Sequence, residues 1–331
     1  MPRFLIAVVS AAVLLAQGPA PVPAGDIVGV GNFSHIVADL DKSLAFYRDV
    51  LGLETAAAAR AFDPNPAIMK LGNTPGAQSR MVQLRVPGAP MGVEIIEYKD
   101  IERTPAHPRF QDPGAGNLTL RVRDLAPIMA KAKAANVHVL TAGGVPATLN
   151  NSHYVFLQDP DGFVVEIAQS DAAAPANAGA GNVLGGGMEF TVNNLEQTQS
   201  LYKALGFPVT APAAFNGDKT MTETAGTPGA QFRQFRAQIP GTSSSMTFIE
   251  FKDIDRKPLH TKVQDPGTAI LQLTVANLDT LMPKLKAAGF VPVSTGGEPA
   301  VIGGAVRILI VRDVNNLHLE LIEQRRAPTK Q

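Results

Sequence analysis

The second half of this chain repeats the first, and that restricts its possible folds more than any other feature. Thr74-Pro75-Gly76-Ala77-Gln78 returns as Thr227-Pro228-Gly229-Ala230-Gln231, and Tyr98-Lys99-Asp100-Ile101 returns as Phe251-Lys252-Asp253-Ile254. Gln111-Asp112-Pro113-Gly114 returns as Gln264-Asp265-Pro266-Gly267 at the same register shift. Self-similarity at a fixed spacing means a duplicated unit, and the fold must be one that such a unit can build. Residues 170–181, SDAAAPANAGAG, separate the copies; rich in Ala, Gly and Pro and lacking periodicity, they read as an exposed linker. At roughly 150 residues per domain, 331 residues also give two domains.

Each half divides again. Residues 32–38 alternate as a strand does, and Asp39-Leu40-Asp41 then opens a helix carrying Leu44, Phe46, Tyr47, Val50 and Leu51 on one face before Gly52 closes it. Strand-like segments follow, ending at Val93-Glu94-Ile95-Ile96-Glu97-Tyr98. The pattern restarts at Asn117, with a helix entry at Asp124 and a last strand at Phe163-Val164-Val165-Glu166-Ile167. The second half does the same from Gly187 and from Ile270. The chain therefore reads as four strand–helix–three-strand modules, at about 28–100, 116–169, 183–252 and 268–323. Grouped by halves, they give domains over 25–170 and 183–325, a linker over 171–182 and a tail over 326–331.

Composition removes several function classes. Lys plus Arg number 29 and Asp plus Glu 29, so there is no basic excess to bind a phosphate backbone and nucleic acid is not an expected partner. Cysteine is absent, which excludes disulfides, thiolate nucleophiles and zinc–thiolate centres. Catalysis, if present, falls to His, Asp/Glu, Ser/Thr, Tyr or a metal held by oxygen and imidazole. At the N-terminus Arg3, the apolar residues 4–16 and the small, Pro-rich residues 17–24 read as a secretory signal. The apolar run is shorter than the roughly 20 residues a spanning helix needs, so no stable membrane anchor is expected. The expected location is periplasmic or secreted.

Two motifs resemble the vicinal oxygen chelate superfamily of glyoxalases, bleomycin-resistance proteins and extradiol dioxygenases. They are Val37-Ala38-Asp39-Leu40-Asp41-Lys42-Ser43-Leu44-Ala45-Phe46-Tyr47-Arg48-Asp49-Val50-Leu51-Gly52 and Asp159-Pro160-Asp161-Gly162-Phe163-Val164-Val165-Glu166. Weaker copies lie at 195–206 and 313–320. The resemblance implies an α+β fold of tandem glyoxalase-like domains, in which two βαβββ modules pair to close a cup-shaped mixed sheet with helices outside. Two cups are expected, one per half.

Strand alternation assigns the cavity faces. Asn32, Ser34 and Ile36 share a face; so do Asn117, Thr119 and Arg121; Gly187, Glu189 and Thr191; and Ile270, Gln272 and Thr274. Both cups should thus be lined with polar groups. The resemblance places metal ligands at the start of each first strand and on each last strand, here Asn32, Glu94, Asn117 and Glu166 in the first cup. Amides stand where imidazoles would, so a divalent ion held there should be weakly bound, with Mg, Mn or Ca favoured over Zn, Fe or Ni. The second cup offers Gly187, Thr247, Ile270 and Glu320 at these positions and is expected to be metal-free.

The residues support two main functions. One is an exported protein with an eroded metal site that binds a small polar molecule through Arg121, Ser34, Thr119, His153, Glu189, Gln272 and Glu320. The other is a lyase or isomerase of glyoxalase type using Glu94 and Glu166 as catalytic carboxylates, with or without a metal. Extradiol dioxygenase and interaction-module readings are weaker, because the second half lacks the dioxygenase ligands. His35 shares parity with Phe33 and Val37 and should be a satisfied core residue. His107 and His260 occupy one repeat position and should share a structural role.

Overall fold

A computed structural model of the chain describes residues 25–174 and 179–324. The expected signal over 1–24, part of the linker and the tail lie outside these residues. Module 1 contains β1 (Ile27–Val37), α1 (Leu40–Leu44, continued by wider π-type turns over Ala45–Val50), α2 (Pro66–Gly72), β2 (Gln78–Arg85) and β3 (Gly92–Lys99). Module 2 contains β4 (Gly116–Val122), α3 (Ala126–Ala134), β5 (Ser152–Gln158) and β6 (Val164–Ser170). Module 3 contains β7 (Val183–Thr191), α4 (Leu195–Ala204), α5 (Lys219–Thr224), β8 (Gln231–Gln238) and β9 (Ser245–Lys252). Module 4 contains β10 (Ala269–Val275), α6 (Leu278–Ala287), β11 (Val306–Arg312) and β12 (His318–Gln324). Short strands such as Glu54–Thr55 and Val291–Pro292 supply the remaining strand in three modules; in module 3 it is reduced to single bridges, Val209 to Ala237 and Asn216 to Phe232.

The same device starts the first helix in three of the four modules. Asp39, Asn194 and Asn277 accept hydrogen bonds from first-turn N–H groups of α1, α4 and α6. A second acceptor reaches in from the last strand of the same module. Glu97 takes Leu40 N–H at 3.0 Å, Gln169 takes Leu125 N–H at 2.7 Å, Glu250 takes Leu195 N–H at 3.0 Å and Glu323 takes Leu278 N–H at 2.8 Å. The three carboxylates among these acceptors are also paired, with Arg80, Arg233 and Arg307. Each helix is thereby fixed against its own strands.

The strands form two mixed sheets, and their composition corrects the expected grouping by halves. Sheet 1 runs β11-β12-β10-β1-β3-β2, from modules 4 and 1; sheet 2 runs β8-β9-β7-β4-β6-β5, from modules 3 and 2. At the centre of each, first strands pair antiparallel across the halves: Ser34 opposes Ile270 in sheet 1, and Glu189 opposes Asn117 in sheet 2. The connecting segments cross to allow this. Thr104 N–H reaches Asp265 Oδ1 at 2.9 Å, Lys257 N–H reaches Asp112 Oδ1 at 2.8 Å, and Leu259 N–H reaches Pro113 O at 2.8 Å. His107 and His260 lie in these crossing segments.

Consecutive modules meet instead through helix and turn. Asp161 accepts from Ala38 N–H (3.0 Å) and Ser43 Oγ (3.2 Å), while Tyr47 donates to Asp159 at 3.2 Å. Asn315 takes the equivalent place, accepting from Asn193 N–H and donating its Nδ2 to Thr198 Oγ1, both at 3.0 Å. The four modules therefore close a ring, alternating sheet and helix contacts. Its centre is apolar: Phe33 meets Phe163 at 5.5 Å and Phe190 at 5.7 Å, joining both sheets and the four main helices in one buried cluster. His35 belongs to this centre, as its parity implies, stacking on Phe163 at 4.2 Å and lying 3.1 Å from Asp159 Oδ2, but it is only half satisfied, because its buried Nε2 has no partner.

Candidate binding site

Because modules pair across the halves, Glu94 and Glu166 do not share a cup. The ladder sets Ser34 beside Glu94 and Gln272 beside Glu320 in sheet 1, and Thr119 beside Glu166 and Glu189 beside Thr247 in sheet 2. Each cup keeps two carboxyls, placed differently. In module 1 the hydroxyl (Ser34) is on the first strand and the carboxyl (Glu94) on the last. In module 3 the carboxyl (Glu189) is on the first strand and the hydroxyl (Thr247) on the last.

Cup 1 is internally satisfied. Glu94 accepts from Ser34 Oγ at 2.9 Å, Gln83 Nε2 at 3.1 Å and Gln272 Nε2 at 3.0 Å. Asn32 contributes its backbone N–H to Gln272 Oε1 at 2.9 Å, while its side-chain oxygen lies against Gly92, where an added Cβ would be only 2.8 Å away. Burial pushes Glu94 above the usual carboxylate range, and these hydrogen bonds pull it back. Burial and then the charge of Glu94 push Glu320 up to about 8. Burial pushes His318 down to about 4, which leaves it neutral at pH 7. Aliphatic side chains gather beside them: Leu71 of α2 packs with Ile36, Ile270, Ile308 and Ile310.

Cup 2 is built otherwise. Glu166 and Glu189 form the floor of a cavity walled by Phe110, Phe156, Phe232, Phe251 and Tyr154, with Met221, Ala225 and Ile249 completing it. It has about 70 Å³ in which a water molecule's centre fits, several times what one water needs. No amide, hydroxyl or cationic donor reaches Glu189 Oε2, although the side chain is only 8% exposed. Burial and then Glu166 raise Glu189 well above the carboxylate range, while burial lifts Glu166 to about 7. Two carboxyls this close and this dry hold a proton between them, because both cannot carry charge. On the neighbouring strand Asn117 Nδ2 is also buried and unpartnered.

Glu166, Glu189 and Thr119 thus come together in cup 2, and Ser34, Glu94, Gln272 and Glu320 in cup 1. His153 belongs to neither: it faces away from the cavity residues Tyr154 and Phe156, between Asp171 (3.1 Å) and Thr148 Oγ1 (3.0 Å). Arg121 is exposed and lies over Gly185 rather than on Glu166. The expectation of uniformly polar cups gives way to apolar walls around a carboxyl floor. Alternation had identified the first strands, but the aromatic walls come from β5, β8, β9 and the crossing segment.

The expected metal set is divided: Asn32 and Glu94 belong to cup 1, Asn117 and Glu166 to cup 2. Among the described residues no three His, Asp or Glu side chains gather as a metal site. In cup 1, Gln272 turns its NH₂ to the carboxylate, an orientation fixed by the Asn32 N–H on its oxygen, so hydrogens face inward. In cup 2, Asn117, Thr119 and Thr247 supplement only two carboxyls. Neither donor set fits the expected divalent centre.

Residues 29–167 match the family model described as the Glyoxalase/Bleomycin resistance protein/Dioxygenase superfamily. The comparison with curated proteins gives no match. Among solved structures, glyoxalase I from Zea mays is 14% identical with a TM-score of 0.57, covering 89% of this chain and 92% of that one. A putative dioxygenase from Bacillus subtilis subsp. subtilis str. 168 is 14% identical with a TM-score of 0.55, covering 92% and 87%. At such identities these structures speak for the fold alone. With the motifs, the four modules and their cups in view, residues 29–167 carry a match to the glyoxalase/bleomycin resistance protein/dioxygenase superfamily, and the second half repeats that matched segment.

Proposed function

We propose that the chain is an exported small-molecule-binding protein and that cup 2 is where it captures its ligand. One observation carries this reading: an aromatic-walled cavity with a carboxyl pair at its floor, in a fold whose other cup meets its buried carboxylate Glu94 with its own side chains. Concave apolar cavities with few convergent polar groups suit small organic molecules, and each Å² of apolar surface buried there contributes about 25 cal/mol. The N-terminal signal composition supports export. Among the described residues no helix is long and apolar enough to cross a membrane.

The lyase reading, with Glu94 and Glu166 acting on one substrate, loses support because the two residues occupy different cups. The binding reading is tested by calorimetric titration of the mature protein with 4-phenylbutan-1-ol. Wild type is expected to bind, and Ala225→Leu, which fills the cavity, to bind at least tenfold more weakly with its melting temperature preserved. Failure of wild type to bind, or equal binding by the variant, contradicts the assignment. Elemental analysis is a further check: a stoichiometric divalent ion lost on Glu166→Ala would favour the lyase instead.

A further inference from the structure

We infer that cup 2 selects an organic cation, an amine carried on an aryl or similarly apolar body, with its ammonium seated on Glu166 and Glu189. The inference rests on cup 2 being the binding pocket and adds the chemistry of what enters it.

The two cups supply the argument by contrast. In cup 1 the buried carboxylate Glu94 has three donors, from Ser34, Gln83 and Gln272. In cup 2 the floor carboxyls have no such set, and Glu189 Oε2 has no N–H or O–H donor although it lines the cavity. An unmet buried acceptor of this kind keeps its full desolvation cost, larger when charged, and a ligand that meets it recovers that cost. An ammonium brings three donors and the opposite charge; an alcohol brings one donor, and a carboxylate ligand would be repelled. The walls favour the same class, because ring faces attract a desolvated cation and also cover an apolar body.

The surrounding charges leave this role open. Facing the pair are Tyr154 on β5, the neutral Asn117 and Thr119 on β4, and Thr247 on β9. Arg236 on β8 favours ionisation of Glu189, but it is exposed and its guanidinium is turned to Ser245 Oγ at 2.7 Å. Arg121 lies over Gly185. When the ammonium enters, the proton held between Glu166 and Glu189 leaves to solvent, so the cation is exchanged for a proton and no bond other than O–H is broken.

The test is calorimetric titration at pH 7 with 4-phenylbutylammonium and with 4-phenylbutan-1-ol, each in phosphate and in Tris. The ammonium is expected to bind at least tenfold more tightly. Its apparent heat should differ between the buffers by the ionisation of one proton, while that of the alcohol should not. In Glu189→Gln the preference for the cation should vanish while alcohol binding persists; the buffer comparison needs no variant and stands whatever that substitution does to folding. Equal or tighter binding of the alcohol, an ammonium heat independent of buffer, or a preference that survives Glu189→Gln overturns the inference and leaves the pocket assignment intact. Binding of neither probe overturns both.

Discussion

Ser34 and Glu189 hold the same place in two copies of one module, and a hydroxyl in one against a carboxyl in the other separates a closed cup from an open one. Ser34 completes the hydrogen bonding of Glu94 from the adjacent strand. Glu189 faces Thr247 and instead meets Glu166. Ser34→Ala should therefore cost about 1–2 kcal/mol of stability, measurable by urea unfolding, while leaving ligand binding in cup 2 unchanged.

The raised carboxyls also set a pH dependence. Glu320 titrates at about 8 in the fold against 4.5 in the unfolded chain, so between these values the folded chain binds more protons and stability falls as pH rises. The slope reaches about 1.4 kcal/mol per pH unit for one group, and Glu166 and Glu189 add to it with the same sign. Urea midpoints from pH 5 to 9 should decline for wild type and decline less for Glu320→Gln; identical profiles would contradict this. Glu189 was legible as a candidate from strand parity, and Glu166 and Glu320 from the family resemblance. Their partners were not, since parity gives the face of a side chain and not which strand lies beside it.

At the scale of elements, the two cups differ in the helix that covers each. Leu71, at the end of α2, enters cup 1, and its carbonyl accepts Ser294 Oγ at 2.8 Å. The carbonyl of Thr224, at the end of α5, accepts Thr141 Oγ1 at 2.9 Å, and that same oxygen takes Phe156 N–H at 2.9 Å. Thr141→Val leaves two buried backbone groups without partners, and α5 should loosen by about 2 kcal/mol. Amide hydrogen exchange should then quicken in α5 and β5 but not in α2. Strands and main helices were readable from alternation and from caps such as Asp39 and Asn194. The segment holding α2 was not, because its seven residues carry no periodicity and owe their place to Leu71 docking on another module's strands.

For the whole molecule, the decisive event is the exchange of partners between halves. The repeat revealed four modules, and the family resemblance implied that they pair. Neither could say which with which, because the four first strands offer equivalent edges and sequence neighbours are the simplest guess. The choice is made by the crossing segments, where Asp112 and Asp265 each cap backbone of the other half. A chain cut to residues 25–170 keeps β1 and β4 without β10 and β7. It should therefore associate as a dimer through those strands or fail to fold; a cooperatively unfolding monomer in sedimentation would contradict the pairing.

The same exchange brings Glu166 and Glu189 into one cup, where we propose the ligand binds. Titration of methyl-labelled protein with 4-phenylbutylammonium, followed by NMR, tests this most directly. The account expects shifts at Met221, Ala225 and Ile249 of cup 2. Shifts confined to Leu71, Ile308 and Ile310 of cup 1 would contradict it.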